Sequence, residues 1–449
     1  MKPFLGSKLA FPLTALALAL SACGGGGTST PASAEKIIVE TAPAVPDGLN
    51  HRLIVGYQGW FGCPGDFEGN ISWLHWFFGE PGLQTMTFDA LPSVKGLDTK
   101  DLCDTGLKRY DGEKIRVFSS QSPGVVMTHF RWMKEQGIDG AAVQRFVGEF
   151  SDPVKLRRVD NVLANVRLAA EANERVFYLT YDVSGAPAAT VVDTIRKDWI
   201  RMVNELQITK SSAYLRDSGR PVIQLWGFGF VDHPGEPAEV AALIADLKNG
   251  AAGLPAATVV GGVPSNWRKL SGDSKSNPAW GAVYRSYDVI SPWNVGRFTN
   301  ESGANSYIGG YADPDRWEAA RVGIRYQPVV FPGFSWHNLM MVRGQPKMAR
   351  LNEIPRTCGN FMWRQVYNLL NANSTMMYVA MFDEADEATA LFPVESHLVD
   401  LPVGSNMIYL DQDGCSLPED WYLRVTGLAA KFVRTGVVPS ASLDELLKP

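Results

Sequence analysis

The feature that most constrains the fold is the alternation of short apolar runs with longer amphipathic stretches along most of the chain. Eight runs have the length and composition of buried strands: 53–60, 140–147, 176–183, 221–228, 258–263, 289–293, 327–331 and 376–382. Helical patterns separate most of them, which favours a parallel sheet. The sequence therefore predicts an α/β fold, a (β/α)8 TIM barrel in a single domain with long strand-to-helix loops. An open doubly wound sheet is the alternative, but the glycine-rich dinucleotide fingerprint is missing.

The first residues have the pattern of an export signal. Lys2 and Lys8 precede an apolar run over 9–20 that is too short to span a membrane. The Leu-Ser-Ala-Cys sequence ending at Cys23 resembles a bacterial lipobox, in which the cysteine is lipidated. Gly24 follows instead of aspartate, so we expect a lipid-anchored protein of the bacterial cell envelope, held at the outer membrane. The predicted organisation is a signal peptide over 1–22, the lipidated cysteine and a flexible tether over 23–48, the barrel over 49–437 and a tail over 438–449.

Four other cysteines are expected to form disulfides, because an exported chain meets an oxidising compartment. They are Cys63, Cys103, Cys358 and Cys415, and none has the spacing of zinc ligands. Three pairings are possible. We hypothesise a Cys63–Cys103 bond across the long first loop and a Cys358–Cys415 bond across the eighth strand.

Charge and composition exclude several partners. The formal net charge of -5 is small and no basic block exists, so a nucleic-acid partner is not expected. Neither a cofactor nor a metal is expected, and we expect a monomer. Thirteen tryptophans is a high count. Core packing accounts for at least half of them, whereas those near strand ends would suit a ligand with apolar faces, such as a sugar ring.

The last predicted strand ends in four carboxylates within five residues, Asp383, Glu384, Asp386 and Glu387. Such a cluster admits three interpretations: a solvated acidic turn, a site for a hard cation, or a pair of catalytic carboxyl groups. The ligand pattern of an EF-hand is absent. Because active sites of parallel α/β folds lie at the carboxyl ends of the strands, Glu384 and Glu387 are candidates for base and acid at a glycosidic bond.

Polar and aromatic residues follow the other predicted strands, where broad apolar faces beside hydrogen-bonding groups would suit a sugar. The predicted substrate-binding residues are Tyr57, Gln58, Trp60, His75, Gln144, Arg145, Tyr181, Asp182, Trp226, Trp267, Trp293, Asn294, Trp336, His337 and Asp383. His129 lies inside a predicted helix, and we interpret it as a packing residue.

Four stretches resemble the glycoside hydrolase family 99 and 71-like group, which includes endo-α-mannosidases. They are Tyr-Gln-Gly-Trp-Phe-Gly at 57–62, residues 120–147, Val-Val-Phe-Pro-Gly-Phe-Ser-Trp at 329–336, and Phe-Asp-Glu-Ala-Asp-Glu-Ala-Thr at 382–389. The last is the most specific, because it keeps both glutamates of the family's Phe-Asn-Glu-Trp-His-Glu-Gly-Thr at the same spacing. Asp383, Ala385, Asp386 and Ala388 depart from that motif, as Gln58 and Gly59 depart from the first, which indicates a divergent branch.

The resemblance implies a barrel hydrolase that retains anomeric configuration. Glu384 would match the family's base, which deprotonates the sugar's own 2-hydroxyl, and Glu387 its acid/base. The other interpretation is a non-catalytic glycan-binding lipoprotein on the same barrel, but binding alone does not require two such glutamates.

Two physical requirements follow for this pair. Residues three apart on an ideal strand point to opposite faces, so the turn after the strand must bend for both carboxyls to reach one bond. Neighbouring carboxylates should raise the pKa of Glu387, and we expect Arg145, Arg268 or Arg297 to favour the ionised form of Glu384.

Overall fold

The computed structural model describes residues 48–446. Its strands, β1 to β12, span Leu53–Tyr57, Leu102–Lys108, Lys114–Phe118, Gly140–Phe146, Val176–Asp182, Arg216–Asp217, Arg220–Trp226, Thr258–Pro264, Val289–Trp293, Arg325–Tyr326, Val329–Val330 and Met377–Val379. Its helices, α1 to α11, span Pro123–Gln136, Pro153–Asn173, Val191–Asn204, Pro237–Asn249, Ala279–Tyr284, Glu301–Tyr307, Asp313–Val322, His337–Val342, Asn360–Asn371, Trp421–Thr435 and Leu443–Leu446. The predicted signal peptide, Cys23 and all but the last residue of the predicted tether lie outside the described residues.

The main sheet is a closed parallel barrel. Strand β1 lies between β12 and β4, and the parallel order continues through β5, β7, β8 and β9 to β10. Strand β11 pairs with β12, and only Gln327 and Pro328 separate β10 from β11. The two ends of the sheet are thus successive pieces of one seventh strand, interrupted where Pro328 lacks an N–H to donate. This arrangement confirms the predicted (β/α)8 fold.

The barrel interior is filled by side chains that require small neighbours. Every residue of β5 and β8 is buried, as expected for strands covered on both faces. A Cβ at Gly56 of β1 would lie 2.1 Å from the side chain of Met381 and 2.3 Å from the hydroxyl of Tyr378. A glycine at this position therefore lets two large side chains from the eighth strand fill the centre of the barrel.

Helix α1 shows how local signals set the element boundaries. Ser122 caps its first turn by accepting from the Val125 N–H, Pro123 begins it, and Gly137 ends it with a φ of 73°. His129, on the buried face of α1, forms a 3.0 Å hydrogen bond with the Tyr57 hydroxyl. Burial lowers the pKa of His129 to about 3, in keeping with a packing role.

The long first loop contains structure that the sequence pattern did not predict. Strands β2 and β3 form an antiparallel hairpin between β1 and α1. Both are partly exposed, so they lack the continuous apolar run that marks the barrel strands. The short helices α5, α6 and α8 were missed because six or seven residues carry too few turns to show a helical period.

Two disulfides hold the loops, and they join the pairs expected from the sequence. Cys63 is bonded to Cys103, which ties the start of the first loop to β2. Cys358 is bonded to Cys415, which ties the residues before α9 to the segment before α10. No helix within residues 48–446 combines the length and apolarity needed to cross a membrane.

The residues predicted as a C-terminal tail pack on the barrel as far as the structure describes them. The Ser440 carbonyl accepts a 3.0 Å hydrogen bond from the indole of Trp363 on α9. Leu443, at the start of α11, is fully buried.

Removing either disulfide should destabilise the protein. Cys63→Ser opens a loop of 40 residues and Cys358→Ser one of 57 residues. In the chain-entropy model, losing either disulfide lowers the free energy of unfolding by roughly 3–4 kcal/mol. We expect a lower denaturation midpoint for each variant than for a Cys23→Ser control. Peptide mapping without reductant that found free thiols or a different pairing would contradict the assignment.

Candidate active site

The acidic residues lie in a turn that folds back at the carboxyl end of β12. Phe382 continues beside β1, with its N–H donating to the Gly56 carbonyl at 2.7 Å. The Glu384 carbonyl then accepts from the N–H groups of Thr389, at 3.1 Å, and Ala390, at 3.0 Å. The chain thus makes the sharp bend that two glutamates three residues apart need in order to serve one site.

Asp383 fixes this turn to the first strand. Its two carboxylate oxygens accept from the N–H groups of Gln58, at 2.7 Å, and Gly59, at 2.8 Å. The side chain is fully buried, and burial raises its pKa to about 7 despite these donors. The prediction that Asp383 binds substrate is therefore wrong, because both oxygens are already used to join β12 to the segment after β1.

Glu384 is held by a hydrogen bond on each carboxylate oxygen. The side-chain amide of Gln58 donates to Oε1 at 2.9 Å, and the Thr389 hydroxyl donates to Oε2 at 2.8 Å. Burial, followed by the charges of Glu387 and Asp386, raises the pKa of Glu384. The two donors oppose this effect by favouring the ionised carboxylate.

Glu387 lies on the far side of the bend. Burial, and then the charge of Asp386, raises the pKa of Glu387 to about 7, and Arg343 at the end of α8 opposes the shift. Burial raises the pKa of Glu384 well above its ordinary value, and the charge of Glu387 adds to this shift. The proton affinities of the two carboxyls therefore depend on each other, and the hydrogen bonds from Gln58 and Thr389 are the feature that favours the charged form of Glu384.

The arginines expected to favour ionised Glu384 are engaged elsewhere. Arg145 pairs with Asp198 of α3 and with Asp160 of α2. Arg268 pairs with Asp315, and Arg297 pairs with Asp273. The expectation is therefore wrong. The neutral side chains of Gln58 and Thr389 favour the ionised form of Glu384 instead.

One wall of the site is an aromatic stack. The ring of His75 lies 4.0 Å from that of Trp60, centroid to centroid and 7° from parallel, and Trp60 in turn stacks on Phe146 at 5.2 Å. The Nδ1 atom of His75 is 3.0 Å from Oδ2 of Asp386. The first loop is thus joined to the acidic turn at the carboxylate that lies between the two glutamates in the chain.

A second aromatic group follows the strands across the barrel. Trp226 packs edge-on against Trp293 at 5.3 Å and against His233 at 5.6 Å. The Nε2 atom of His233 is 3.0 Å from the Ser184 hydroxyl, which follows β5. Register places Trp226, at the end of β7, opposite Asp182 of β5, so these residues share the rim of the same mouth.

Polar groups on this rim lack protein partners within residues 48–446. They include the indole N–H groups of Trp60 and Trp226 and the side-chain carbonyl of Gln144. Asp182 accepts from the Ser184 N–H at 2.8 Å, and burial raises its pKa. Buried polar groups are normally paired, so this rim offers hydrogen bonds that a polyhydroxylated ligand would complete.

Three predicted binding residues face the wrong side of the sheet. Successive residues of a strand point to opposite faces, so Gln144 faces the interior while Arg145 faces the helices. The hydroxyl of Tyr181 likewise donates to Asp198 of α3 at 2.8 Å. Tyr57 packs on Phe130 of α1 and bonds to the same helix through its hydroxyl. The predictions for Tyr57, Arg145 and Tyr181 are wrong for this one reason.

Two more predicted binding residues are structural. Trp267 is fully buried and packs on Tyr284 of α5 at 6.4 Å. The side-chain amide of Asn294 donates to the Val329 carbonyl at 2.8 Å, which links the end of β9 to β11 at the barrel seam. Both side chains therefore stabilise the barrel wall.

Trp336 and His337 stand on the segment that leads into α8. The Trp336 ring packs on Phe334 at 5.1 Å, and the His337 ring bonds to the Ala349 carbonyl at 2.9 Å. Asp89 holds this segment by accepting from the N–H groups of His337, at 2.6 Å, and Asn338, at 2.8 Å. The contacts of both rings are thus local to their own loop.

Sequence reasoning missed several residues that organise the site. Thr389 closes the motif around the glutamates, so its position was a usable signal for the hydrogen bond to Glu384. Arg343, Ser184 and His233 stand in loops or short helices without a motif, and only the fold brings them to the mouth. Within residues 48–446 no group of three or more histidine, cysteine, aspartate or glutamate side chains is arranged to hold a metal ion.

The fold and the site together define a parallel (β/α)8 barrel with an acidic turn at the carboxyl end of its eighth strand. No family model and no curated protein matches the sequence. Among solved structures, the chain is similar to the family 99 endo-α-mannosidase of Bacteroides thetaiotaomicron, in complex with bis-tris propane, with a TM-score of 0.60 and 14% identity over 86% of this chain and 98% of that one. A second structure of this enzyme matches equally, over 99% of its length. At this identity the likeness shows the fold.

The raised pKa of Glu387 predicts a pH-dependent effect on stability. A carboxyl whose pKa is about 7 when folded and roughly 4.3 when unfolded contributes stability at acid pH that is lost as pH rises through 7. Glu387→Gln should therefore raise the melting temperature relative to the parent at about pH 8 and not at about pH 4.

Glu318→Gln is the matched control for this measurement. Arg321 and Arg285 lower the pKa of Glu318 to about 2, so its removal should lower the melting temperature near neutral pH. A difference between Glu387→Gln and the parent that did not change with pH would contradict the assigned pKa.

Proposed function

We propose that this protein is a glycoside hydrolase that acts on a glycan or polysaccharide outside the cytoplasm. The observation that carries the proposal is the bent turn after β12, which places the buried Glu384 and the half-buried Glu387 at the carboxyl end of the barrel strands. The similarity in fold to an endo-α-mannosidase supports the choice of a glycosidic bond. The acidic turn is buried and hydrogen-bonded, which disfavours a merely solvated cluster.

The two carboxyls are assigned opposite roles because their surroundings differ. Glu384, ionised by its hydrogen bonds from Gln58 and Thr389, takes the proton of the sugar's 2-hydroxyl, and that oxygen attacks the anomeric carbon. Glu387 gives its proton to the departing glycosidic oxygen as the bond to the anomeric carbon breaks. Water then attacks the anomeric carbon while Glu387 takes a proton from it. The bond from the 2-oxygen to that carbon breaks, Glu384 returns its proton to the 2-oxygen, and configuration is retained.

The aromatic groups on the rim suit a sugar better than a charged or extended apolar ligand. Trp60 with His75, and Trp226 with Trp293, offer flat faces to pyranose rings. Gln58, Gln144 and Asp182 offer hydrogen bonds to hydroxyl groups between them. A non-catalytic glycan-binding protein on the same barrel remains the second candidate, favoured by the number of these aromatic faces.

The chemistry predicts that both glutamates are needed for turnover. Glu384→Gln and Glu387→Gln should each reduce turnover at least about 10²–10⁴-fold, the usual contribution of one general acid or base. Product release from a polysaccharide panel, with the double variant as the blank, measures the effect, and circular dichroism checks that the variants fold. Unchanged activity in either single variant would remove the assigned pair, whereas binding without products from the parent would favour the second candidate.

The attack by the 2-hydroxyl predicts a strict substrate requirement. A 2-deoxy analogue of a cleaved substrate should bind but not react, because it lacks the nucleophile. Rapid cleavage of that analogue would instead indicate a carboxylate nucleophile or inversion.

We also propose that the protein is anchored to the bacterial outer membrane through lipid on Cys23. The described chain starts at the end of the barrel opposite the mouth, where the Gly48 N–H donates to the Arg216 carbonyl at 2.6 Å, ahead of β7. A tether of 25 residues spans on average about 25–30 Å. Anchoring of this kind would leave the mouth free to meet a large glycan.

Cys23→Ala should release the protein from the membrane. Without the lipid, the variant should move to the soluble periplasmic fraction, while Cys63→Ser, a cysteine variant within the barrel, should fractionate with membranes like the parent. Recovery of Cys23→Ala with membranes would contradict the anchor.

A further inference from the structure

His75, in the first loop, contacts Asp386 of the acidic turn through its side chain. Its Nδ1 atom lies 3.0 Å from Oδ2 of Asp386, whose side chain is 5% exposed, whereas that of His75 is 38% exposed. The other carboxylate oxygen of Asp386 has no partner within residues 48–446. His75 therefore provides the one hydrogen bond that Asp386 receives through its side chain in the described structure.

The position of this imidazole is fixed on three sides. The ring stacks on Trp60, the Thr87 hydroxyl donates to the His75 carbonyl at 2.8 Å, and the Cys63–Cys103 bond ties the loop to the hairpin. The backbone of His75 has a φ of 57°, which residues other than glycine seldom adopt. Such strained conformations persist where surrounding contacts enforce them, and they are frequent at functional sites.

The charged groups around Asp386 are those of the proposed reaction. Glu384 and Glu387 both respond to its charge, Asp383 acts on Glu384, and Arg343 acts on Glu387 from α8. The charge carried by Asp386 therefore bears on the protonation of both glutamates.

We propose that His75 is a positioning residue that acts through Asp386 to set the protonation of the Glu384–Glu387 pair. The inference rests on the proposed function, because it assigns a role to the same pair. The His75 ring bonds to Oδ2 of Asp386 and so stabilises the charge of that carboxylate, which adjoins Glu387 in the chain. The first loop thereby couples an accessible ring to the two glutamates.

The proposal predicts shifts of opposite sign in two variants. His75→Phe keeps an aromatic ring on Trp60 but leaves the Asp386 charge uncompensated, so Glu387 should hold its proton to higher pH, by about one unit. Asp386→Asn removes the charge, so Glu387 should lose its proton at lower pH, by a similar amount. The double variant should behave as Asp386→Asn, because His75 acts only through that carboxylate.

The titration is measured by NMR on the whole protein carrying ¹³C at the glutamate carboxyl carbons. Glu384→Gln and Glu387→Gln assign the two signals, and no substrate is required. His397→Phe is the matched control, because His397 forms a similar 2.8 Å pair with Asp411 away from the glutamates. It should leave both signals unchanged.

Activity then provides an independent measurement. With a cleaved substrate, the alkaline limb of kcat/KM against pH should move up in His75→Phe and down in Asp386→Asn. Shifts of the same sign, or none, in the NMR titration would overturn the role of His75. If the titrations shift as expected while Glu384→Gln and Glu387→Gln retain full activity, the proposed function fails and the coupling between His75 and the pair stands.

Discussion

The structure of the site depends on the buried carboxylate of Asp383. By accepting from the N–H groups of Gln58 and Gly59, it replaces the hydrogen bonds that β12 and β1 would make if both strands continued. The sheet can then stop pairing without leaving two donors unsatisfied, and the chain is free to bend. The same anchor sets the position of Gln58, whose side chain holds Glu384. Asp383 thus determines both the bend of the backbone and, through Gln58, the orientation of the proposed base Glu384.

The fold could be predicted from the sequence because a barrel of this type repeats the same pattern, a buried apolar strand followed by an amphipathic helix. Eight buried strands with helices between them leave few topologies, and the strand positions agree to within a few residues. The seventh strand shows the limit: Pro328 interrupts it, and only pairing to both β9 and β12 reveals that it closes the barrel. The first-loop hairpin escaped because half-exposed strands lack a continuous apolar run, and its place is fixed by the Cys63–Cys103 bond instead.

The site was readable only in part, for a different reason. The sequence shows which residues lie at the end of a strand. It does not show which face of the sheet each side chain points to, because an error of one residue in the register reverses the face. Gln144 and Asp182 reach the mouth, while their neighbours Arg145 and Tyr181 meet Asp198 behind the sheet. The spacing of Glu384 and Glu387 was informative because the turn between them bends, whereas Arg343 and His233 come from elements whose place only the tertiary structure determines.

The acidic turn also shows what the site costs the fold. Asp383, Glu384 and Glu387 all have pKa values raised by burial. Near neutral pH the folded protein therefore either holds protons that the unfolded chain has released or keeps from water charges that the unfolded chain exposes. A structure selected for stability alone would place neutral groups there. The donors from Gln58 and Thr389 and the imidazole of His75 each reduce this cost at one carboxylate without removing its ability to titrate. These groups stabilise the carboxyls and still allow them to gain and lose protons, as the proposed acid–base roles require.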